Sequence, residues 1–120
     1  MIKFVMCLTR RPDLTREQFQ DYWKNQHGPL FMSFAETFRA KRYVQDLTLD
    51  TPINDLLRES RGMKPAYDGV AEVWFESVED LVEAMSSPEG QEVSATLLED
   101  ENQFVDHANS TAFIAVEKEF

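Results

Sequence analysis

The order of strand-forming and helix-forming segments is the feature that most limits the fold of this chain. Strand patterns lie at residues 2–8, 42–49, 70–75 and 111–117 of its 120 residues. Helical patterns separate the first strand from the second and the third strand from the fourth. The resulting order, β-α-β-β-α-β, is typical of the ferredoxin-like split βαβ fold. We therefore predict an α+β protein with a four-stranded antiparallel sheet and its helices on one face of that sheet.

The first helical segment has clear start and stop signals. Thr15 and Gln18 have the spacing of a capping box, which predicts a helix over residues 16–27. Pro29 has no N–H group and also restricts the residue before it, so we expect a break or kink there. Helical spacing then resumes over residues 30–38.

Two more helical patterns lie in the second half of the chain. Ser77 caps one helix, and Ser87 followed by Pro88 begins the next. Each pattern predicts one buried face, formed by Val78, Leu81, Val82 and Met85 in the first helix and by Val93, Leu97 and Leu98 in the second. Residues 50–67 are the least regular part, with a helical turn expected at residues 53–58.

Apolar residues occur on both faces of the predicted sheet. Phe4 and Met6 face one way along the first strand, whereas Val5 and Cys7 face the other. Helices cover only one face, and an uncovered apolar face would promote aggregation. The pattern therefore predicts a homodimer in which two sheets pack face to face.

Composition predicts one domain over residues 1–120 and excludes several partners. There are 22 acidic and 12 basic residues, which give a net charge of −10. This charge disfavours nucleic acid and anionic membranes as partners. No apolar run reaches the ~20 residues that cross a bilayer. The single cysteine allows no intrachain disulfide, and no signal-peptide pattern is present, so we expect a cytoplasmic protein.

Three stretches of sequence carry recognisable family patterns. Residues 2–19, I-K-F-V-M-C-L-T-R-R-P-D-L-T-R-E-Q-F, form a strand, a turn and a capped helix. Residues 22–30 read Y-W-K-N-Q-H-G-P-L, and residues 67–77 read Y-D-G-V-A-E-V-W-F-E-S. Together they resemble the EthD-like family of the dimeric α+β barrel superfamily, whose signature is Y-W-x-x-x-H-x-P-L. Residues 50–65 match no part of that pattern.

The resemblance implies a role with small molecules, but it does not indicate one specific reaction. The family is named for an accessory protein of a cytochrome P450 system for ether breakdown. Relatives in the superfamily include lactone isomerases, polyketide cyclases, dehydratases and monooxygenases, and many of them use no metal or organic cofactor. Fold alone does not choose among these activities.

His27 is the candidate catalytic residue. It follows Phe19 and Trp23 at intervals of four residues, so the three side chains share one helical face. Its ordinary pKa near ~6.5 suits it to accept or donate a proton at neutral pH. In an apolar pocket it would remove a proton next to a carbonyl or protonate a leaving oxygen. The alternative is a structural histidine that fixes the kink at Pro29.

Candidate substrate-binding residues are mostly aromatic: Tyr22, Trp23, Tyr43, Glu72 and Trp74. Such rings combine a large apolar area with a polar tip. Glu72 either pairs with an arginine at the dimer interface or accepts a proton in the cavity, because a buried carboxylate needs a partner. We expect Asp68 to start a turn, His107 to lie on the surface, and residues 99–101 to form a solvated helix end. No metal-ligand spacing or glycine-rich phosphate loop is present, so no cofactor is predicted.

Three functions remain open from the sequence. The leading hypothesis is a cofactor-free enzyme that isomerises, dehydrates or decarboxylates a hydrophobic oxygenated metabolite, with His27 as acid or base. The first alternative is a non-catalytic accessory or ligand-binding protein with an oxygenase partner in an ether-degradation pathway. The second is a heme-binding barrel or monooxygenase with His27 as axial ligand.

Overall fold

Four strands pair into one antiparallel sheet with the order β2-β3-β1-β4. The strands are β1 (Ile2–Leu8), β2 (Arg42–Leu47), β3 (Gly69–Phe75) and β4 (Thr111–Ala115). The computed structural model describes all residues from 1 to 120. In the central pair, Ile2 lies opposite Phe75 and Leu8 lies opposite Gly69. This topology confirms the predicted ferredoxin-like sheet.

Six α-helices connect these strands. They are α1 (Arg16–Tyr22), α2 (Gly28–Ser33), α3 (Ala35–Phe38), α4 (Pro52–Arg61), α5 (Val78–Ser86) and α6 (Pro88–Glu101). A π-helical turn, Trp23–His27, joins α1 to α2, and a 3-10 turn, His107–Asn109, precedes β4. No helix combines the length and apolar character needed to cross a membrane.

The capping box at Thr15 and Gln18 is confirmed, but of the predicted break or kink at Pro29 the break does not occur. The chain stays helical from Arg16 to Ser33. It does so because the turn before the proline widens, with the Gly28 N–H bonded to the carbonyl of Trp23 five residues back. Pro29 then stands at the start of α2, where a missing N–H is tolerated.

Helix α4 is longer than the single turn predicted at residues 53–58. The Thr51 side chain accepts a hydrogen bond from the N–H of Ile53 at its start, and Gly62 with φ 62° ends it. None of its residues is buried. The cap and the terminal glycine were both present in the sequence and would have predicted the full helix.

The core lies between the sheet and the helices and consists of two clusters. The first contains Leu8, Phe19, Trp23, Ala71, Phe104 and Val105, and the second contains Phe38, Val73, Phe75, Leu81, Val93 and Leu97. The predicted apolar faces of α5 and α6 were too wide. Only Leu81 and Ala84 of α5 are buried, whereas Val82 and Leu98 are more than half exposed. A narrower stripe of each helix therefore faces the core.

The opposite face of the sheet is mixed rather than largely apolar. Val5, Val70 and Phe113 lie on it, but so do Lys3 and Glu72. The Nζ of Lys3 lies 2.8 Å from a carboxylate oxygen of Glu72, so this pair is satisfied within one chain. Sequence reasoning missed this pair because it considered only Val5 and Cys7 of β1 on this open face of the sheet, the face without helices.

Candidate functional site

A cavity of about 230 Å³ lies between the sheet and the helices. Of its 17 lining residues, 14 are hydrophobic, so the few polar groups determine what chemistry it supports. Those groups are His27, Ser94, Glu101 and the hydroxyl of Tyr43. The cavity therefore has the composition of a small-molecule site, in which a few polar groups orient a mainly apolar ligand.

His27 is held by a carboxylate at the end of α6. Its side chain is 9% exposed, and its Nδ1 lies 2.8 Å from an Oδ of Asp100. The other Oδ of Asp100 accepts a 2.6 Å hydrogen bond from the hydroxyl of Tyr22. Each carboxylate oxygen thus has one partner, and the three side chains form a continuous hydrogen-bonded row.

This row fixes the tautomer of the neutral imidazole. Because a carboxylate only accepts hydrogen bonds, the hydrogen of neutral His27 is assigned to Nδ1. Nε2 then carries the lone pair and is free to act as a base. The hydrogen bond to Asp100, followed by burial, raises the pKa of Tyr22 to about 12. Tyr22 therefore remains a donor to Asp100 at neutral pH.

A second polar group comes from β2. Gln45 donates one hydrogen bond of 2.8 Å to the Tyr43 hydroxyl and another of 2.9 Å to the Trp23 carbonyl. Burial raises the pKa of the Tyr43 phenol. The hydroxyl stays protonated, and because its oxygen accepts from Gln45, its hydrogen can serve a ligand.

Glu101 supplies the only carboxylate that lines the cavity. It follows Asp100 on α6, and its carboxylate lies 2.9 Å from Nε2 of His107. His107 is exposed, as predicted, but it is tied to the site through this contact.

The structure brings three predicted site residues together. Trp23, His27 and Tyr43 all line the cavity. Tyr22 does not; it packs on Phe104 at a ring distance of 5.1 Å and holds Asp100. Its position therefore favours support of His27 over contact with a ligand.

Glu72 and Trp74 lie on the other face of the sheet, so the expectation that they share a pocket with His27 is corrected. They alternate with Val73, which faces the cavity, and side chains along a strand point to opposite faces in turn. Hydrogen bonding with Asp46 and then with Lys3 lowers the pKa of Glu72. Glu72 therefore pairs with Lys3 of its own chain.

Sequence reasoning missed Asp100 and Glu101, which it assigned to a solvated helix end. A signal was available, because these residues extend the buried stripe of Val93 and Leu97 along α6. Asp68 was also underestimated. It is 5% exposed and accepts hydrogen bonds from the N–H of Arg10 and from a side chain of α1, so it anchors the segment before β3 and does more than the expected start of a turn.

Comparisons with known proteins match this architecture. A solved EthD family protein from Bacillus halodurans has 20% identity and a TM-score of 0.64, covering 98% of this chain and 99% of that chain. A dimeric ferredoxin-like protein of unknown function from Bacteroides fragilis has 9% identity and a TM-score of 0.60, covering 94% and 92%. SnoaB, a cofactor-independent oxygenase from Streptomyces nogalater, has 11% identity and a TM-score of 0.54, covering 99% and 94%.

At these identities the solved structures establish the fold alone. A search of the curated proteins gave no significant match. The EthD domain model, however, matches residues 11–108, which is most of the chain and includes His27 and Asp100. This chain belongs to the EthD domain family.

Proposed function

We propose that this protein is an enzyme that transfers protons on a hydrophobic, oxygenated small molecule without a cofactor. The observation that carries the proposal is the position of His27, whose ring lines an apolar cavity while Asp100 holds its Nδ1. A surface histidine or one in solid packing would not have this access. SnoaB shares the fold and is described as a cofactor-independent oxygenase, which supports a small-molecule role.

The chemistry begins with removal of a proton. Nε2 of His27 takes a proton from a carbon next to a carbonyl, and Asp100 stabilises the resulting imidazolium. The electron pair moves onto the carbonyl oxygen, where the Tyr43 hydroxyl donates a hydrogen bond to the developing negative charge. Return of the proton to another carbon gives isomerisation, and loss of a β-hydroxyl group as water gives dehydration.

Hydrogen–deuterium exchange tests this proposal, because it detects proton removal from any compound that the site accepts. Purified protein is incubated in D₂O with a panel of lactones and aromatic polyketide-like ketones, and exchange at the acidic carbon is followed by NMR. We expect exchange with wild type and a loss of about 10²-fold or more in His27→Gln. Lys24→Gln is the matched control, since Lys24 is an exposed residue of the same helical turn and does not line the cavity.

Two results would contradict catalysis by His27. Full exchange activity in a folded His27→Gln protein would remove this residue from the mechanism. Binding without exchange, combined with stimulation of a partner oxygenase, would instead support the accessory function. A Soret band after hemin is added to the purified protein would instead support the heme-binding alternative.

We also propose a homodimer that packs through the open face of the sheet. Phe113 is half exposed on this face beside Val5, and the Bacteroides fragilis neighbour is described as dimeric. Light scattering should give twice the 13.9 kDa mass of the chain. Phe113→Glu should give monomers, whereas Ile114→Glu, on the other face of the same strand, should not. A monomeric wild type, or a dimeric Phe113→Glu, would contradict the proposal.

A further inference from the structure

We propose that the cavity binds an elongated ligand in one orientation, with a neutral oxygenated head group at His27 and a hydrocarbon tail directed toward α5. This inference rests on the proposed function in treating the cavity as a small-molecule site. It adds the class of ligand, a neutral alkyl-substituted phenol or ketone, and the residues that limit its length.

The cavity is long because it follows β3. Ala71 belongs to the core cluster around Trp23, whereas Phe75 belongs to the cluster around Leu81. Both line the cavity, and four residues of strand span roughly 13 Å. Tyr43 packs against both clusters, so it lies between the two ends.

Polarity differs between the two ends. His27 and Glu101 lie with the Trp23 cluster, where the ring of His27 is 5.1 Å from that of Phe104. The far end consists of hydrocarbon from the second cluster, including Leu81. Ser94, seven residues before Glu101 on α6, is the one polar side chain beyond the head region. A ligand with one polar end therefore fits in only one direction.

The charges exclude an anionic head group. No lysine or arginine lines the cavity, and its one carboxylate is Glu101. His27, the only group that could become a cation, already pairs with Asp100. A carboxylate ligand would therefore lose its hydration without gaining a positive partner. A phenol or carbonyl, in contrast, matches the lone pair of His27 Nε2 and the hydroxyl hydrogen of Tyr43.

The volume sets the length of the tail. At about 30 Å³ for each water-sized group, 230 Å³ holds roughly eight non-hydrogen atoms. This corresponds to a phenol ring with a substituent of one or two carbons, and side-chain adjustment at the end of the cavity allows about one more.

Calorimetric titration with a series of 4-alkylphenols, from methyl to pentyl, tests the inference. Affinity should rise about fourfold for each added methylene until the tail region is full, and then stop rising. Octanoate, which equals 4-propylphenol in size but is anionic, should bind at least tenfold more weakly. Octanoate that binds as tightly as 4-propylphenol, or affinity that does not depend on chain length, would overturn the inference.

Substitutions of Leu81 test where the hydrocarbon tail of the ligand lies. Leu81→Phe should move the preferred chain to a shorter member of the series, and Leu81→Ala should move it to a longer one. Leu56→Phe, on the exposed helix α4, is the matched control and should leave the preference unchanged. The titrations of wild type with the alkylphenols and octanoate test the inference even if one variant fails to fold. A folded Leu81 variant with an unchanged preference for alkyl-chain length would refute the assigned direction of the tail.

These titrations measure binding without turnover, so the two proposals can fail separately. Ordered binding of alkylphenols by a protein that exchanges no protons would refute the catalytic proposal alone. Exchange activity without any preference for chain length or head-group charge would refute the assigned orientation alone.

Discussion

Replacement of Asp100 by asparagine is the most direct test of the hydrogen-bonded row behind His27. The substitution keeps the size and shape of the side chain but removes its charge. An amide oxygen can accept from His27 or from Tyr22, and its NH₂ group then faces the other partner. Tyr22 must rotate its hydroxyl to become an acceptor, or lose its hydrogen bond.

The expected loss of stability follows from the two contacts. His27 lies 2.8 Å and Tyr22 lies 2.6 Å from the carboxylate, and Asp100 is only 19% exposed. A hydrogen bond to a charged group contributes about 1.5–3 kcal/mol, against about 0.5–1.5 kcal/mol for a neutral one. Two such reductions lower the free energy of unfolding by about 2 kcal/mol. For a domain of this size that equals a decrease of roughly 8 °C in Tm.

The pH dependence of stability gives a second measurement. The pKa of Tyr22 is raised from 10.0 to about 12 in the folded protein. The stability that the protonated Tyr22 hydroxyl contributes is therefore fully present below pH 10 and is lost as pH rises toward 12. In Asp100→Asn the pKa of Tyr22 should fall toward its ordinary value, so the alkaline loss of stability should shrink.

Thermal unfolding by circular dichroism and titration of phenolate absorbance provide the two measurements. Tyr22→Phe assigns the Tyr22 signal among the three tyrosines. Asp21→Asn is the matched control, because Asp21 is exposed and accepts only from the nearby Asn25. An Asp100→Asn protein with the Tm and the tyrosine titration of wild type would show that this carboxylate is solvated and does not orient His27.

Two other substitutions test how the site is supported. Gly69→Ala would place its Cβ 2.4 Å from a ring carbon of Trp23, so we expect urea denaturation to show a loss of about 1–3 kcal/mol. An unchanged midpoint would mean that Trp23 has room to move. Asp68→Asn should cost about 3 kcal/mol, because Asp68 accepts from the Arg10 N–H and the Arg16 guanidinium in a buried position. The exposed control Asp13→Asn should change stability by about 0.5 kcal/mol or less.

Local sequence signals predicted most of the framework, because the forces that produce it act over short spans. The cap at Thr15 needs only a residue three positions away, and strand alternation needs only a few neighbours. His27 could be placed on the buried face of its helix for the same reason. The ferredoxin-like fold class then followed from the order of the elements along the chain.

The second half of the site depends on contacts that short patterns do not contain. Asp100 meets His27 across 73 residues of chain, so only the packing of α6 against the π-helical turn brings them together. Glu72 and Trp74 were misplaced for a related reason. Their aromatic and acidic character indicated a site, but the register of β3 determines which face they occupy.

The widened turn at Trp23–His27 explains why the two candidate reactive groups are positioned together. The Trp23 carbonyl closes this turn by accepting the N–H of Gly28, and it also accepts from Gln45, which donates to Tyr43. A Cβ at position 28 would lie 2.9 Å from the Gln45 nitrogen, so glycine permits this approach. The side chain of Gln45 therefore anchors both the hydroxyl of Tyr43 and the backbone turn that carries His27. A change in the turn would displace His27 and the Tyr43 hydroxyl together, so the π-helical geometry positions the candidate site as well as accommodating a proline.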